Sequence, residues 1–522
     1  MRALSLGRGG ALCASGVVLV GMMLVGCTPD APPPEAGARA NTVQQSAAPA
    51  GSEAGGHPSI VLLISIDTLR ADHLGVYGHD RFTSPRIDAM ASKGTVFDDA
   101  SATAPWTLPS HASLLTGLYP RRHGVATMMA GLPRDLPTLA AMLGEAGFTT
   151  AAVVNNTWLA RESYGLTRDF DEYTFVDSSE NRRSPNTWVT DEAIRWLSEH
   201  GSGPLFVFAH YFDVHTDYAS LPEYEKLFVT AYDGPFTGDA WQLQVANLED
   251  DYIAFCTREF DPEKCRFGGP DGPRPVDDSL VKLVPGADDL RHLEELYDAG
   301  IRQLDTELGR LFGFLRDGGY ADRTLLILTS DHGEEFGDHG RVEHFSTQYQ
   351  EMLHVPLIMV GPGVPIGERV SAAVSLVDIV PTVLSMTGVP LRADLDGLDL
   401  SPLLRREGEQ RFSARIQYGE ASGGHNYAAI VAPGIFPIHR SIRRGRHKLV
   451  YESKRDEYAL FDLDADPGEQ RDISTREPVV TAELIALMKD RYHEYTPEPR
   501  PENRIELGAE DLEKLRALGY VP

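Results

Sequence analysis

The stretch Ser59-Ile60-Val61-Leu62-Leu63-Ile64-Ser65-Ile66-Asp67-Thr68 decides the fold prediction. A continuous apolar run of this kind is typical of a strand buried on both faces of a parallel sheet. Similar runs recur at 150–154, 205–210, 324–329 and 355–360, and amphipathic patterns that predict helices lie at 137–145, 189–199 and 289–316. Strands that alternate with helices predict a doubly wound α/β sheet, whose ligands bind beyond the carboxyl ends of the strands.

Acidic residues, histidines and hydroxyls follow three of these runs. Asp67 and Thr68 come after the first run, Asp213 and His215 after the run at 205–210, and Asp331-His332 after the run at 324–329. A single Asp in such a place can be a helix N-cap, and a single His can be a structural contact. Carboxylates and imidazoles that gather at one sheet edge instead favour a divalent metal ion.

The stretch 105–117 predicts the beginning of a helix with a hydroxyl at its start. Pro109 fits the first helical position, because its missing N–H would have no partner there in any case. Thr107 then lies just before the helix, where backbone N–H groups and the dipole favour an anion. A hydroxyl beside a metal ion can lose its proton and attack a bound ester there, and a simple cap is the alternative role.

The composition excludes some classes of protein and partner. The 522 residues include 48 Lys and Arg against 76 Asp and Glu, for a net charge of −28. This balance argues against a nucleic-acid partner, since neutralising phosphates requires basic surface. An anionic substrate stays open, because a metal ion or a cationic pocket can override the overall field locally. The sequence carries no signal of an oligomeric state.

The first 26 residues predict a lipoprotein signal peptide. Two arginines precede an apolar stretch at about 17–25 that is too short to span a bilayer. It ends in Leu24-Val25-Gly26-Cys27, which resembles the bacterial lipobox. We therefore expect an exported protein anchored to a bacterial membrane by a lipid on Cys27, facing the periplasm or the cell surface. An ordinary signal peptide is the alternative. Residues 27–57, rich in Pro, Ala, Gly and Ser, predict a disordered tether.

The body of the chain divides by its pattern into 58–424 and 425–522. Residues 219–288 interrupt the strand–helix alternation and predict an insertion. Within it, Cys256 and Cys265 lie nine residues apart, which in an exported protein favours a local disulfide over a metal site. After residue 425, short alternating runs and a helical pattern at 479–495 predict a small C-terminal α+β subdomain.

The body resembles the sulfatases, a branch of the alkaline phosphatase superfamily, over residues 59–125, 289–390 and 437–475. The matching runs are 67–78, 107–124, 329–340, 355–358 and 460–463, the last followed by Asp466-Pro467-Gly468-Glu469. The resemblance implies an alkaline phosphatase/sulfatase-like sheet in a catalytic domain at 58–424, with the small C-terminal subdomain at 425–522.

The resemblance also implies roles for individual residues. Asp67, Asp331 and His332 match metal-ligand positions, and Thr107 matches the nucleophile of the Cys/Ser-x-Pro-x-Arg motif, which also binds the metal ion. His111 stands where that motif has its Arg, and it is the expected catalytic residue that holds the non-bridging oxygens of the ester, with Asn155 or Asn156 as alternatives.

Four further residues, Asn155, Asn156, His215 and His344, fall near substrate-contacting positions of the family. His215 and His344 are the expected proton donors to the leaving group, since imidazole titrates in the useful range. The expected substrate-binding residues are Asn155, Asn156 and His339. A second metal ion held by His339, His344 or Asp213 is an alternative.

Two departures from the family pattern bear on the nucleophile and on the choice of metal ion. Thr107 cannot be converted to formylglycine, as the sulfatase Cys or Ser is, and Thr at this position resembles superfamily phosphodiesterases and phosphoethanolamine transferases. The Asp331-His332 pair, in place of Asp-Asn, favours Zn or Mn, with Ca possible.

We therefore expect a metal-dependent hydrolase of phosphate or sulfate esters, with phosphate esters or diesters preferred. Its substrate would be a small-molecule, lipid or glycan ester. A transferase that passes the group to a lipid or glycan, and a non-catalytic binding lipoprotein, are the alternatives.

Overall fold

The run at 60–66 forms the central strand of the main sheet. This strand, β1 (Ile60–Ile66), pairs in parallel with β5 (Leu205–Tyr211) on one side and with β8 (Thr324–Ser330) on the other. All three are buried along their whole length. The apolar runs therefore form strands covered on both faces, as their continuous hydrophobicity predicts.

The computed structural model describes residues 57–177, 185–248, 266–267, 274–275, 282–344, 347–422, 437–493, 501–505 and 508. The predicted signal peptide, most of the predicted tether and the Cys256–Cys265 pair lie outside these residues. Within the described ranges, no helix is both long and apolar enough to cross a membrane.

The strands are β1 (Ile60–Ile66), β2 (Thr95–Ser101), β3 (Thr149–Val154), β4 (Glu172–Phe175), β5 (Leu205–Tyr211), β6 (Arg266–Phe267), β7 (Arg274–Pro275), β8 (Thr324–Ser330), β9 (Glu335–Phe336), β10 (Val342–Glu343), β11 (His354–Val360), β12 (Glu368–Val370), β13 (Val374–Ser375), β14 (Ile416–Ala421), β15 (His439–Arg444), β16 (His447–Glu452) and β17 (Glu457–Asp462).

The α-helices are α1 (Pro85–Ala91), α2 (Thr107–Thr116), α3 (Pro120–His123), α4 (Leu139–Glu145), α5 (Thr157–Ala160), α6 (Pro185–His200), α7 (Pro222–Phe228), α8 (Ala240–Asn247), α9 (Ala287–Asp317), α10 (Gln350–Leu353), α11 (Ile379–Thr387), α12 (Ser401–Leu404), α13 (Glu409–Ser413) and α14 (Pro478–Arg491). Short 3-10 helices lie at Ala71–His73, Gly75–Tyr77, Glu162–Tyr164, Ala321–Arg323, Leu376–Asp378 and Pro501–Asn503.

The main sheet is mixed, with the order β12-β2-β11-β8-β1-β5-β3-β4 and with β13 also paired to β2. The exception to the parallel arrangement is β11, which runs antiparallel to both β8 and β2. The apolar run at 355–360 was expected in a parallel sheet. It reverses because no long crossover helix separates β8 from β11, so the chain returns from the edge at which β8 ends. The residues between them consequently stay at that edge.

Helices cover both faces of this sheet, which confirms the predicted α/β layering. Val61 and Leu63 of β1 belong to a core shared with helices α2, α4 and α11. Ile60, Leu62 and Ile64 belong to the opposite core, with α1, α6 and α9. Since side chains alternate along a strand, Ser65 and Asp67 lie on the α2 side of the sheet.

A second sheet forms near the C-terminus. Its antiparallel strands have the order β14-β15-β16-β17, and apolar residues of these strands pack against Leu484 and Met488 of α14. This is the antiparallel sheet of the expected small α+β subdomain. Its first strand begins at Ile416, ahead of residue 425, where the sequence pattern changes.

The described part of the predicted insertion contains α7 and α8. The Leu221 N–H donates to Gln303 Oε1 of α9 at 2.7 Å, and the Thr230 N–H donates to Glu295 Oε2 at 2.8 Å. Asn247, the last residue of α8, accepts through Oδ1 from the Val342 N–H at 3.2 Å. This contact brings α8 against the β9–β10 hairpin, which belongs to the segment between β8 and β11.

Candidate active site

Three predicted ligands meet at the carboxyl edge of β1 and β8. His332 Nε2 lies 3.7 Å from Asp67 Oδ1 and 3.5 Å from Asp331 Oδ2, and all three side chains are fully buried. None of these three atoms has a hydrogen-bond partner among the described residues. Two ionised carboxylates in one buried place require a cation, because without one the repulsion between them favours protonation of one carboxylate.

The spacing of these atoms fits a small divalent cation. Ligand atoms that share a tetrahedral Zn²⁺ at about 2.0–2.1 Å lie roughly 3.3–3.5 Å apart. Burial and the Asp67 carboxylate raise the pKa of Asp331 well above its usual range. A bound cation would reverse this effect and keep both carboxylates ionised. The three residues could therefore hold a divalent metal ion.

Backbone contacts fix which oxygen of Asp331 faces this centre. Its Oδ1 accepts from the Thr68 N–H at 3.3 Å and from the His332 N–H at 3.0 Å. Thr68 has a φ of 56°, an uncommon conformation for a β-branched residue, and its carbonyl accepts from Tyr297 Oη at 2.7 Å. The other oxygen, Oδ2, is thereby the one that can bind a metal ion.

The predicted nucleophile lies at the N-terminal end of α2. Thr107 is the first residue of α2 and is 1% exposed. The N-cap is Trp106, so Thr107 is not the cap, and Pro109 is the third helical residue and not the first. Proline is tolerated there because the first four N–H groups of a helix have no partner within it. Ser110 Oγ donates to the Asp331 carbonyl at 2.6 Å. This hydrogen bond holds the beginning of α2 against residues 331–333, which follow β8 and are called the metal-ligand loop because they include the candidate ligands Asp331 and His332.

His111, which also belongs to α2, lies next to the candidate metal ligand Asp331. Its Nδ1 is 2.9 Å from the Thr107 carbonyl and 3.3 Å from Asp331 Oδ2, and its Nε2 is 2.9 Å from Ser65 Oγ. Burial, with a further contribution from nearby His210, lowers the pKa of His111 to about 3. His111 is therefore a neutral side chain, in contrast to the arginine of the family motif.

The two adjacent asparagines have different surroundings. Asn156 Nδ2 donates to Asp67 Oδ2 at 2.7 Å, while its Oδ1 accepts from the Trp158 N–H at 2.8 Å and caps α5. Asn156 thus orients the carboxylate of Asp67, a candidate metal ligand. Asn155 is 4% exposed, and its Nδ2 has no hydrogen-bond partner among the described residues. Of the two side chains, Asn155 is therefore the one whose amide nitrogen is not engaged with another described residue.

The two predicted proton donors lie together. The rings of His215 and His344 are 4.7 Å apart, and His344 is also 4.7 Å from His332. His344 Nδ1 is 2.9 Å from Glu334 Oε1, and His215 Nδ1 is 2.6 Å from the Thr216 carbonyl. Burial lowers the pKa of His215 to about 4, so this ring is neutral at pH 7.

The structure does not bring His339 or Asp213 into this cluster of ligands. His339 contacts Glu351 Oε1 at 2.6 Å and the Glu469 carbonyl at 3.1 Å, and its ring stacks on Tyr349. It thus lies against the second sheet. Asp213 Oδ2 accepts from Asn186 and Gln303.

Sequence reasoning missed the approach of His210 to Asp67 and the contact of Glu334 with His344. His210 Nε2 is 3.4 Å from Asp67 Oδ2, and His210 is paired with Ser65 in the register of β1 and β5. The available signal was a histidine at the end of an otherwise apolar run. The pairing of β5 with β1, which brings it to Asp67, is not readable from the sequence.

Comparisons with known proteins identify the family of this chain. The family model described as Sulfatase matches residues 59–389, and the model described as N-sulphoglucosamine sulphohydrolase, C-terminal, matches 337–497. Arylsulfatase K of Gallus gallus is 25% identical, over 82% of this chain and 81% of its own length. N-acetylglucosamine-6-O-sulfatase of Bacteroides thetaiotaomicron is 24% identical, over 84% of this chain and 87% of its own length.

Solved structures share the fold. A protein in complex with its substrate D-glucosamine-2-N,6-O-disulfate has a TM-score of 0.65 at 22% identity, covering 84% of this chain and 97% of that protein. The phosphonate monoester hydrolase of Agrobacterium radiobacter has a TM-score of 0.65 at 24% identity, covering 86% and 99%. Because the Sulfatase model matches more than half of its length, the chain belongs to the sulfatase family of the alkaline phosphatase superfamily and is a hydrolase of that family.

Proposed function

We propose that this enzyme cleaves phosphate esters or diesters with a divalent metal ion and Thr107 as the nucleophile. The observation that carries the proposal is the set of three unpartnered, buried ligand atoms of Asp67, Asp331 and His332. The hydroxyl-bearing end of α2 is held next to them through Ser110. A metal ion bound there would lower the pKa of a coordinated hydroxyl and polarise the ester.

The residues around the centre fit distinct tasks. Asn155 would hold a non-bridging oxygen of the ester, and Asn156 keeps Asp67 in its orientation through the 2.7 Å hydrogen bond. We assign protonation of the leaving group to Nε2 of His344, whose Nδ1 is engaged with Glu334. The neutral ring of His215 keeps its proton on Nδ1, which donates to the Thr216 carbonyl, so its Nε2 can accept a proton but not donate one. Zn²⁺ or Mn²⁺ suits this mixture of carboxylate and imidazole ligands.

The preference for phosphate rests on the fate of the covalent intermediate. Thr107 cannot form the aldehyde through which a formylglycine hydrate expels sulfate, so its ester must be cleared by a second attack. The neutral His111 also lowers the fixed positive charge relative to the arginine of the motif, which suits a monoanionic diester. Sulfated sugars are the second candidate, since relatives of this chain are named as an arylsulfatase and an N-acetylglucosamine-6-O-sulfatase.

A substrate screen of the full-length chain, purified in detergent with Zn²⁺ or Mn²⁺, tests the proposal. Aryl phosphate diesters should be turned over faster than aryl sulfates. Thr107→Ala should lower kcat by about 10³-fold or more, while Thr107→Ser, which retains a hydroxyl, should keep part of the activity. Equal turnover by wild type and Thr107→Ala would contradict the proposal.

The same assay separates the alternatives. A transferase would pass the group to an added alcohol or glycan in preference to water, so the ratio of transfer product to free phosphate identifies it. A non-catalytic binding lipoprotein would turn over none of the esters.

We further propose that the enzyme is exported and anchored to a bacterial membrane through a lipid on Cys27. The lipobox-like Leu24-Val25-Gly26-Cys27 and the long Pro/Ala-rich stretch after it support this location. Cell fractionation should place the wild type with membranes and Cys27→Ser in the soluble exported fraction. A wild type found in the soluble fraction would contradict the anchor.

A further inference from the structure

The chain turns directly after β1, beside the candidate metal ligands. Thr68, the second residue of this turn, is fully buried and has a φ of 56°. This left-handed backbone conformation crowds the β-branched side chain of a threonine, so a residue keeps it only where the surrounding structure compensates the strain. The contacts that hold Thr68 in this conformation therefore bear on the candidate ligand Asp67, which directly precedes it.

Tyr297 of α9 contacts the backbone on both sides of this strained position. Its hydroxyl donates to the Thr68 carbonyl at 2.7 Å and accepts from the Arg70 N–H at 2.9 Å. One side-chain oxygen thus pairs two backbone groups of the turn, which need partners because they are buried. The Tyr297 ring is 1% exposed, and the rings of His73 and Phe336 each lie 5.0 Å from it. This packing fixes the place of the hydroxyl.

The Thr68 backbone also connects two of the candidate ligands. Its N–H donates to Asp331 Oδ1 at 3.3 Å, so that Oδ2 is the oxygen that lies 3.5 Å from His332 Nε2. Asp67 and Thr68 share a planar peptide group, so a rotation of the Thr68 backbone shifts Asp67 relative to Asp331. Outer contacts that orient ligating side chains typically account for about 10–100-fold of metal affinity. A residue that fixes Thr68 therefore sets the geometry of both carboxylates.

We propose that Tyr297 is a positioning residue of the metal centre. Its hydroxyl holds Thr68 in the left-handed conformation and thereby fixes the spacing of Asp67 and Asp331. Tyr297 acts through the backbone, since both of these hydrogen bonds go to main-chain groups. The sequence shows Tyr297 only as part of the amphipathic pattern at 289–316, and it lies 229 residues away from Thr68 along the chain. The inference rests on the metal dependence proposed above.

Tyr164 provides a matched comparison outside the candidate site. It is fully buried, and its hydroxyl donates to the Met128 carbonyl at 2.9 Å. Phenylalanine at either position keeps the ring and its packing but leaves a buried backbone carbonyl without its tyrosine donor. Tyr297→Phe and Tyr164→Phe should therefore lower the thermal unfolding midpoint by similar amounts, and a difference in metal binding between the two variants reports positioning.

Metal affinity tests the proposal without an activity assay. The full-length chain, purified in detergent, is stripped with a chelator, and its affinity for Zn²⁺ is measured by competition with a chromophoric chelator. Tyr297→Phe should bind Zn²⁺ about 10–100-fold more weakly than wild type, and Tyr164→Phe should bind it as wild type does. The visible spectrum of bound Co²⁺, which reports the arrangement of the ligands, should change only in Tyr297→Phe. Wild-type affinity and an unchanged Co²⁺ spectrum in Tyr297→Phe would overturn the positioning role, as would equal weakening in both variants.

A second background separates positioning from general destabilisation. Glycine adopts a positive φ without strain, so Thr68→Gly should not need the hydroxyl to hold the turn. In the Thr68→Gly background, Tyr297→Phe should cost at least about fivefold less Zn²⁺ affinity than it does in the wild type, because the effects of residues in contact are not additive. Equal losses in the two backgrounds would contradict the proposal.

The same titration distinguishes this inference from the proposed function on which it rests. A wild type that binds no divalent metal ion overturns the metal centre and with it the role of Tyr297. A wild type that binds an ion with the same affinity as Tyr297→Phe overturns only the role of Tyr297 and leaves the proposed hydrolase intact.

Discussion

At the scale of single residues, the segment after β8 contains a buried carboxyl group, that of Glu335, which has no role in the proposed reaction. Glu335 is 1% exposed, and burial, with the nearby Glu351 carboxylate, raises its pKa to about 8. Thr347 Oγ1 donates to Glu335 Oε1 at 2.9 Å, while Oε2 has no hydrogen-bond partner among the described residues. The folded protein therefore favours the protonated form of this side chain.

Glu335→Gln should make the stability of the enzyme less dependent on pH. An acid whose pKa is raised on folding contributes stability that is complete below the unfolded pKa, about 4.5, and is lost as the pH rises toward 8. Glutamine keeps an oxygen for Thr347 and does not ionise. The unfolding free energy of the variant relative to wild type should therefore rise by about 3–4 kcal/mol between pH 5 and pH 8.

Urea unfolding at several pH values measures this difference. If the difference in unfolding free energy between Glu335→Gln and wild type stays constant from pH 5 to pH 8, Glu335 is ionised in the folded enzyme. A gap that shrinks as the pH rises would contradict the sign of the predicted shift.

Single residues also show how far sequence reasoning extends. Asp67, Asp331 and His332 were predictable because each follows an apolar run that ends at one sheet edge. His210 was not, since its approach to Asp67 depends on the pairing of β5 with β1. The distinct contacts of Asn155 and Asn156 likewise depend on the side chains that surround them.

At the scale of elements, the reversal of β11 places the metal-ligand loop against α10. The Gly333 N–H donates to the Met352 carbonyl at 2.9 Å, and His332 Nδ1 is 2.9 Å from the Gly333 carbonyl. A Cβ added to Gly333 would lie 1.9 Å from the Glu351 carbonyl oxygen. Glycine is needed there for close approach of two backbones. Apolar runs predicted the strands, but they do not specify strand direction, and the reversal was missed for that reason.

Gly333→Ala should weaken metal binding, because the loop must move and carry the His332 ring with it. Loss of the contact that orients a ligating histidine typically weakens metal affinity about 10–100-fold, and overpacking should lower the unfolding free energy by about 1–3 kcal/mol. Competition with a chromophoric chelator measures the affinity. Gly203→Ala, where an added Cβ would meet nothing within 4 Å, is the matched control. Equal affinity in both variants would contradict the role of Gly333.

At the scale of the whole molecule, the second sheet is joined to the main sheet by buried polar contacts. Lys448 of β16 is 2% exposed and lies 2.9 Å from Glu469 Oε1, whose carbonyl also contacts His339. Arg443 of β15 donates through Nη1 to Asp99 Oδ1 of β2 at 2.6 Å, and its Nη2 bonds the other carboxylate oxygen. The C-terminal sheet thus supports the segment between β8 and β11, which carries the candidate ligands Asp331 and His332, and we expect both sheets to unfold together.

Arg443→Met should destabilise the entire enzyme and not only its C-terminal sheet. The change leaves Asp99 without its two-point partner in a largely buried place, for a loss of about 2 kcal/mol of unfolding free energy. Tryptophan fluorescence reports the main body and far-UV circular dichroism both sheets, so urea transitions from the two probes should shift together. Arg455→Met, which removes an exposed ion pair with Glu452, should change the free energy by less than about 1 kcal/mol. An Arg443→Met protein whose fluorescence transition stays at the wild-type midpoint while the dichroism transition moves would show that the sheets unfold independently.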